Sequence, residues 1–495
     1  MSPIRFEDNP DEETPLFQNS DAPQKPTPLP KAQILILLSV WLAESIVSHS
    51  ISPYINQLVR DLPIVGGDYR KVGYYTGIIV SLHYAAAALT TLHWNRLSDY
   101  IGRKPVLLSC FMGTIVSITM FSLSHSFWAL ALSRCLHGAM NGHVGVVKSM
   151  ITELTDETNV AQGFSLLPVS WALGYVFGPL IGGFLSQPQH RWPNLFSNPF
   201  WAAYPYFLPC LGVAAFTSLS FIISAVFLKE TMNHTFPTKF ESESLRATSY
   251  IPQEGSSDTP DVPPNDTDMS LPLRSVLTRP VVITTANFAI FALLNVSAIS
   301  LIPLVWSTPI KFGGLNLSPA SIGLWMSGYG CINGIFQFAF FSRMVGRFGP
   351  QRVFIVNIAA FAVVYAMLPL ENLALRHAGG GSKVTLWILM FIQMLSLSIA
   401  QMGFSSMYLY ISSAAPNKRS LGSTIGLADA VASTQVAVGP VVTDCLFAFS
   451  LTNNVLGGNF VYVVLFAFVG VGLCVAGQLP RYTWRHGHAS SYIVD

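Results

Sequence analysis

Two strongly ionisable residues stand where hydrocarbon would make them expensive. Glu44 lies in the run WLAESIVSHSISPYINQLV, about a dozen residues into an apolar stretch, and Arg134 opens the segment RCLHGAMNGH inside another. A carboxyl at that depth is a proton-exchanging group by default, because it can shed its charge. An arginine there needs a carboxylate, an anionic solute or a wet cavity for its planar fork. Glu44 is therefore the expected proton carrier, and both charges are expected to face a central cavity. His49 lies about 140° from Glu44 around a helix, so the two cannot point squarely at one site; hydrogen-bonded packing explains His49 as well as a cavity role does. Arg134, Gly138, Asn141 and Gly145 share a helical face, which makes Asn141 a polar neighbour of the arginine. His83, His137 and His143 read as structural, without the cluster spacing of a metal site, so no metal is expected. Further along, Asp429 and Asp444 are the acids inside apolar sequence. Asp429 either pairs with a cation across the two halves of the chain or sits near the cytoplasmic end of its span. Asn295, Asn333, Gln337, Gln393 and Gln401 either line a cavity or bond between helices.

The elements that must position these residues are membrane spans. Of the 495 residues, 51% are hydrophobic and 11% charged, which leaves too little polar surface for a water-soluble domain of this size. A span needs roughly 20 apolar residues. Such stretches occur near 33–58, 73–93, 105–124, 127–152, 163–186 and 204–228, and again near 281–307, 319–341, 353–370, 384–412, 421–449 and 459–479. The fold class is thus an all-α membrane protein of about twelve transmembrane helices, with residues 32–228 and 281–479 as its halves. Residues 1–31 are too polar for a signal peptide and are expected to be a disordered tail. Residues 229–280, with SSDTPDVPPNDTD at 256–268, bury too little apolar area to order themselves and form a linker; residues 480–495 are a second tail. Lys and Arg concentrate in the segments on one side of the spans, which places both termini and the linker in the cytoplasm. The small net charge of +2 and the absence of a basic block argue against a nucleic-acid partner. The six cysteines lie in apolar stretches without CxxC pairs and read as packing residues.

Between the second and third spans stands NRLSDYIGRK at 95–104. It resembles the major facilitator superfamily signature G-x-L-x-D-R/K-x-G-R/K-R/K, with Leu97, Asp99, Gly102, Arg103 and Lys104 matching, while Asn95 replaces the first Gly and Tyr100 the first base. In that family the acid sits against a helix N-terminus of the opposite half and the bases complete a cytoplasmic gate. The second-half copy, SRMVGRFGPQR at 342–352, keeps Arg347 and Gly349 but has Gly346 where the acid would be. The fifth span carries GYVFGPLIGG at 174–183, placing Gly174, Gly178 and Gly182 on one face, with Gly183 beside them and Pro179 breaking a backbone bond. This resembles the G-x-x-x-G-P-x-x-G-G motif of proton-coupled antiporters of the superfamily. The fourth span resembles the family's buried-arginine motif, with Met140 where a small residue is usual. The stretch 155–183 is similar to zinc-induced-facilitator-like and related fungal transporters of the drug:proton antiporter group, although the Cys-bearing first-span motif of the plant members is absent.

The resemblance implies two six-helix bundles, each of 3+3 inverted repeats, rocking about a site at mid-membrane. It implies a secondary active transporter, expected to be a monomer, that exports a small organic solute such as a drug or secondary metabolite against protons by alternating access. The partners expected are that solute, protons and the lipid bilayer of the plasma or vacuolar membrane. Proton symport of a nutrient or metal chelate, and a non-transporting sensor on the same fold, are the rivals; a vesicle flux assay separates them. No phosphate loop of the GxxxxGK[ST] type occurs. An enzyme is not expected, and the energy source would be a proton gradient with no cofactor.

Overall fold

The computed structural model describes residues 27–156, 159–232, 277–377, 383–416 and 420–481, and every regular element among them is helical. The long helices are α1 Lys31–Ser50, α2 Val72–Ile101, α3 Arg103–Ser122, α4 Phe127–Ala139, α5 His143–Leu154, α6 Val160–Leu185 and α7 Phe207–Phe227. Beyond residue 276 come α8 Arg279–Ser307, α9 Pro319–Phe348, α10 Pro350–His377, α11 Lys383–Ala414, α12 Leu421–Thr452 and α13 Phe460–Ala476. Among the described residues nine helices are long and apolar enough to cross a membrane. The rest of the expected twelve are α9, the 17-residue α13 and a fourth span in two pieces, α4 and α5.

That break corrects the expectation of one rod over 127–152. Its cause lies in the sequence GAMNG at 138–142 and in α2. A Cβ at Gly142 would meet the Trp94 indole, with Cδ1 at 2.7 Å. Trp94 Nε1 in turn donates to the Ala139 carbonyl, which an unbroken helix would offer to residue 143. The indole thus replaces the lost backbone bond, as a break at membrane depth requires.

The expected tail and linker lie largely outside the described residues, which begin at 27, skip 233–276 (with 256–268) and end at 481. Their described edges bond to the first half. Asn159 Nδ2 donates to the Thr27 carbonyl at 3.2 Å and to its hydroxyl at 3.0 Å, and Lys229 N donates to Gln33 Oε1 at 2.9 Å.

In lipid no hydrophobic force draws helices together, so close contact depends on small residues. The Gly174–Gly178–Gly182 face of α6 is such a surface, and it packs on α1: a Cβ at Gly178 would lie 3.0 Å from both His49 Cβ and the Ile46 carbonyl. Gly183 points instead to the other half, where a Cβ would meet the Pro319 carbonyl at 2.5 Å and Gly323 Cα at 3.0 Å. From there α9 closes on α6 through Ser327 Oγ, which donates to the Val176 carbonyl at 2.7 Å, and through the Tyr175–Tyr329 ring pair at 5.6 Å. A second seam joins α2 to α12. A Cβ at Gly73 would meet the Asp444 carbonyl at 2.5 Å, one at Gly77 the Pro440 carbonyl at 2.9 Å, and Ser81 Oγ accepts from Val441 N at 2.9 Å.

Both seams occupy the face opposite the 99–104 loop, called the far face below. Toward the loop face the glycines Gly346, Gly422 and Gly426 have nothing within 4 Å of a built Cβ. Phe338 on α9 is 92% exposed. The close backbone contacts between the halves thus lie at the far face, where they seal it.

Candidate functional site

α1 delivers Glu44 into the interior of the first half, where it is 3% exposed. The broken fourth span meets it from both pieces. His137, at the end of α4, brings Nε2 to 3.6 Å from Glu44 Oε2, and His143, the first residue of α5, brings Nε2 to 3.2 Å from the same oxygen. Ser48, one turn along α1, donates to Oε1 at 3.0 Å. Arg134 Nη1 lies 3.1 Å from His137 Nδ1, and the His83 ring stacks on His137 with centroids 4.5 Å apart. The result is one acid among three imidazoles and a guanidinium, all nine-tenths buried or more. Without a lysine or arginine on the carboxylate, this arrangement can hold a proton or release it without first breaking a salt bridge to a permanent cation.

The expected residues fall into place unevenly. Arg134 makes no direct ion pair with Glu44 but bonds to His137 behind it, and it lines a cavity inside the first half with Ser50, Tyr54, Ser117 and Cys210, not a cavity between the halves. Asn141 stands at the break with Oδ1 unpartnered. His49 turns away from Glu44: its Nδ1 donates to the Ser45 carbonyl at 2.7 Å and its ring lies 3.7 Å from that of Tyr175. Asp429 is in the other half, where Tyr408 donates to it at 3.0 Å. His137 and His143, read from sequence as structural, are the acid's partners. Their signal was the glycine-rich break between them, which turns two unrelated helical positions toward one point. Glu371 on α10 was also missed. It is fully buried at the far end of the second half, with Trp306 Nε1 donating to Oε2 at 3.2 Å.

At the loop face Gly102 adopts φ +106°, a conformation open to glycine, and lets α3 begin directly after α2. Arg103 then binds Asp99 at 2.6 Å, Glu153 of α5 at 2.9 Å and the Ser98 hydroxyl at 2.6 Å. The acid seated on a helix N-terminus is not Asp99 but Glu230, just beyond α7 in the same half. It accepts from Arg103 N at 2.9 Å and Lys104 N at 3.0 Å, where the helix dipole favours negative charge. Burial by itself would raise the Glu230 carboxyl, but backbone N–H bonds from Met232, Lys104, Arg103 and Thr231 outweigh it and hold the group below its ordinary range. Glu230 escaped the sequence reading because it falls at the mouth of the linker. Arg347 does not join this cluster; its guanidinium lies 5.6 Å from the Phe348 ring centroid.

Comparison with known proteins agrees with this architecture. The family described as the Major Facilitator Superfamily matches residues 34–314. The chain is 28% identical to the major facilitator-type transporter psiT2 of Psilocybe cyanescens, spanning 95% of this chain and 94% of the relative. It is 26% identical to the major facilitator superfamily multidrug transporter mfsB of Aspergillus fumigatus, over 92% of this chain and 83% of that one. It is likewise 26% identical to the protein zinc induced facilitator-like 1 of Arabidopsis thaliana, over 88% and 90% respectively.

Proposed function

The chain belongs to the major facilitator superfamily as a multi-pass membrane transporter, and from that premise we propose that it is a proton-coupled antiporter exporting a small organic solute, with Glu44 as the proton carrier. The observation that carries this reading is the company of Glu44: a buried carboxylate held by two imidazoles and a hydroxyl, with no permanent cation on it. Such a group changes charge at modest cost, and a change of charge inside a rocking bundle is what couples a gradient to a conformational cycle. The relative named a multidrug transporter supports drug-like solutes, and the similar efflux pump azaK of Aspergillus niger supports export.

In this reading the bundles 32–228 and 281–479 rock about a central site at mid-membrane, joined by the linker 229–280, with the linker and the tails 1–31 and 480–495 on one side. The loop face with both termini is cytoplasmic, and the protein works as a monomer in the plasma or vacuolar membrane. Asp99, Gly102, Arg103 and Lys104, braced by Glu153 and Glu230, form the cytoplasmic gate. The test uses the full chain in proteoliposomes with a panel of fluorescent aromatic drugs. An imposed proton gradient drives their efflux in the parent. Glu44→Gln keeps the volume but cannot titrate, so it loses gradient-driven flux and keeps equilibrium binding and exchange. Unchanged pH dependence in Glu44→Gln removes Glu44 from the role and makes Asp429 the next candidate. Uptake in place of efflux makes the protein a symporter, and no flux of any probe favours a sensor.

A further inference from the structure

The two imidazoles on Glu44 are chemically different, and the difference follows from what lies behind each ring. Arg134 has only N–H donors to offer. Its Nη1 stands 3.1 Å from His137 Nδ1, so Nδ1 is the acceptor and the ring proton is on Nε2, the atom aimed at Glu44. A second proton on His137 would have to enter at Nδ1, directly against the guanidinium. His137 is thereby fixed as a neutral donor. His143 is under no such restraint: its Nδ1 has no hydrogen-bond partner, so no cation stands behind the ring, and its Nε2 is the nearer of the two imidazoles to Glu44 Oε2, at 3.2 Å.

The other groups around this point do not compete for the role. From α2, His83 stacks on His137 and has Tyr84 beside it, ring centroids 5.0 Å apart. From α3, Phe111 presents its ring to His143 at 5.2 Å, with Cys110 buried next to it. From α1, Ser48 occupies the other carboxylate oxygen and His49 is committed to the Ser45 carbonyl. From α5, Lys148 lies 5.9 Å from the Trp41 ring centroid.

We propose that His143 is the proton-exchanging partner of Glu44, with Arg134 and His137 as positioning residues that hold one imidazole neutral and leave the other free to charge. This rests on the proposed role of Glu44. In the step itself the Oε2–H bond of Glu44 breaks and an N–H bond forms at His143 Nε2, giving a carboxylate–imidazolium pair; no other reactant takes part. The break at 140–142 makes the step geometrically available, since it turns His143 out of the helical path that α4 would have followed.

Imidazole 15N spectra of the full chain, labelled at histidine and placed in nanodiscs, test this between about pH 5 and 8, where histidine protonation is read directly. Loss of a signal in His143→Gln or His137→Gln assigns the two rings, and His143→Asn gives a second assignment should the first variant fail to fold. In the parent, His143 should show imidazolium signal, while His137 keeps the Nε2-protonated neutral pattern throughout. Arg134→Gln should add an imidazolium signal at His137, and Glu44→Gln should remove the one at His143 while leaving His137 in place. A His143 that stays neutral across the window, or a His137 that titrates with Arg134 present, overturns the assignment. These spectra need no transported solute, so they are decided separately from the Glu44→Gln flux experiment.

Discussion

Neighbouring glycines on α6 should respond to the same substitution in opposite ways. Gly182 packs within its own half: a Cβ there would run into the Ser50 carbonyl, with Ser50 C at 2.8 Å and Cα at 3.2 Å. Gly183 packs across the halves, where the added atom would meet the Pro319 carbonyl at 2.5 Å, Gly323 Cα at 3.0 Å and Ala320 Cα at 3.2 Å. All of these are backbone atoms, which cannot rotate away, and overpacking of this kind costs roughly 1–3 kcal/mol. Replacing Gly by Ala also returns up to about 1 kcal/mol of helix propensity, equally in every conformation. In Gly182→Ala the clash persists whichever face is open, so the whole fold loses stability and the balance of states does not move. In Gly183→Ala the clash exists only while the far face is sealed, so the far-open state gains by a factor of roughly 5 to 150. Spin labels at Leu195 and Lys311, two far-face loop positions, would report this by pulsed electron resonance once the six native cysteines are changed to serine. A longer-distance population is expected in Gly183→Ala alone, and a lowered Tm with an unchanged distance distribution in Gly182→Ala. Equal distance distributions in both variants would refute the reasoning, because the Gly183 contact would then not belong to one state.

Glu230→Gln should lower Tm at neutral pH, and its gap from the parent should close as pH falls through the ordinary glutamate range near about 4.3. The sign follows from the depressed folded value: the stabilisation is complete above the unfolded pKa and is lost on acidification. Arg103→Lys should slow flux at normal membrane abundance, since one ammonium cannot replace the planar fork that reaches both Asp99 and Glu153; normal flux would remove the gate role. Asp99→Asn should leave folding intact, because the Asp99 side chain is 57% exposed and such pairs contribute roughly 0–1 kcal/mol, yet it should impair flux, measured against the amount of inserted protein. Deleting residues 256–268 should change flux little, since a linker tolerates shortening while its ends still reach, and complete loss of flux in a correctly folded deletion would make the segment regulatory.

The residues that shape the path of the chain were visible in its sequence. Span positions depend on runs of apolar side chains, a one-dimensional property that each stretch carries by itself. The turn at Gly102 and the glycine face of α6 are equally local, since positive φ and a four-residue spacing need no partner to be recognised. Glu44 and Arg134 stood out for the same reason, as charges inside runs that should contain none. What these features touch was a different matter. The sequence shows that Gly174, Gly178 and Gly182 share a face, but only the packed structure turns that face to α1 and Gly183 to α9. His137 and His143 are six positions apart, which on a continuous helix would set them well around the axis from each other. They converge on Glu44 because Trp94, from another helix, takes the Ala139 carbonyl and ends α4. Glu230 reaches Arg103 N across 127 positions of chain. Hydropathy and spacing act along the chain, whereas the rotation of each helix is set by contacts between chain-distant helices, and it is that rotation which decides which buried charges meet.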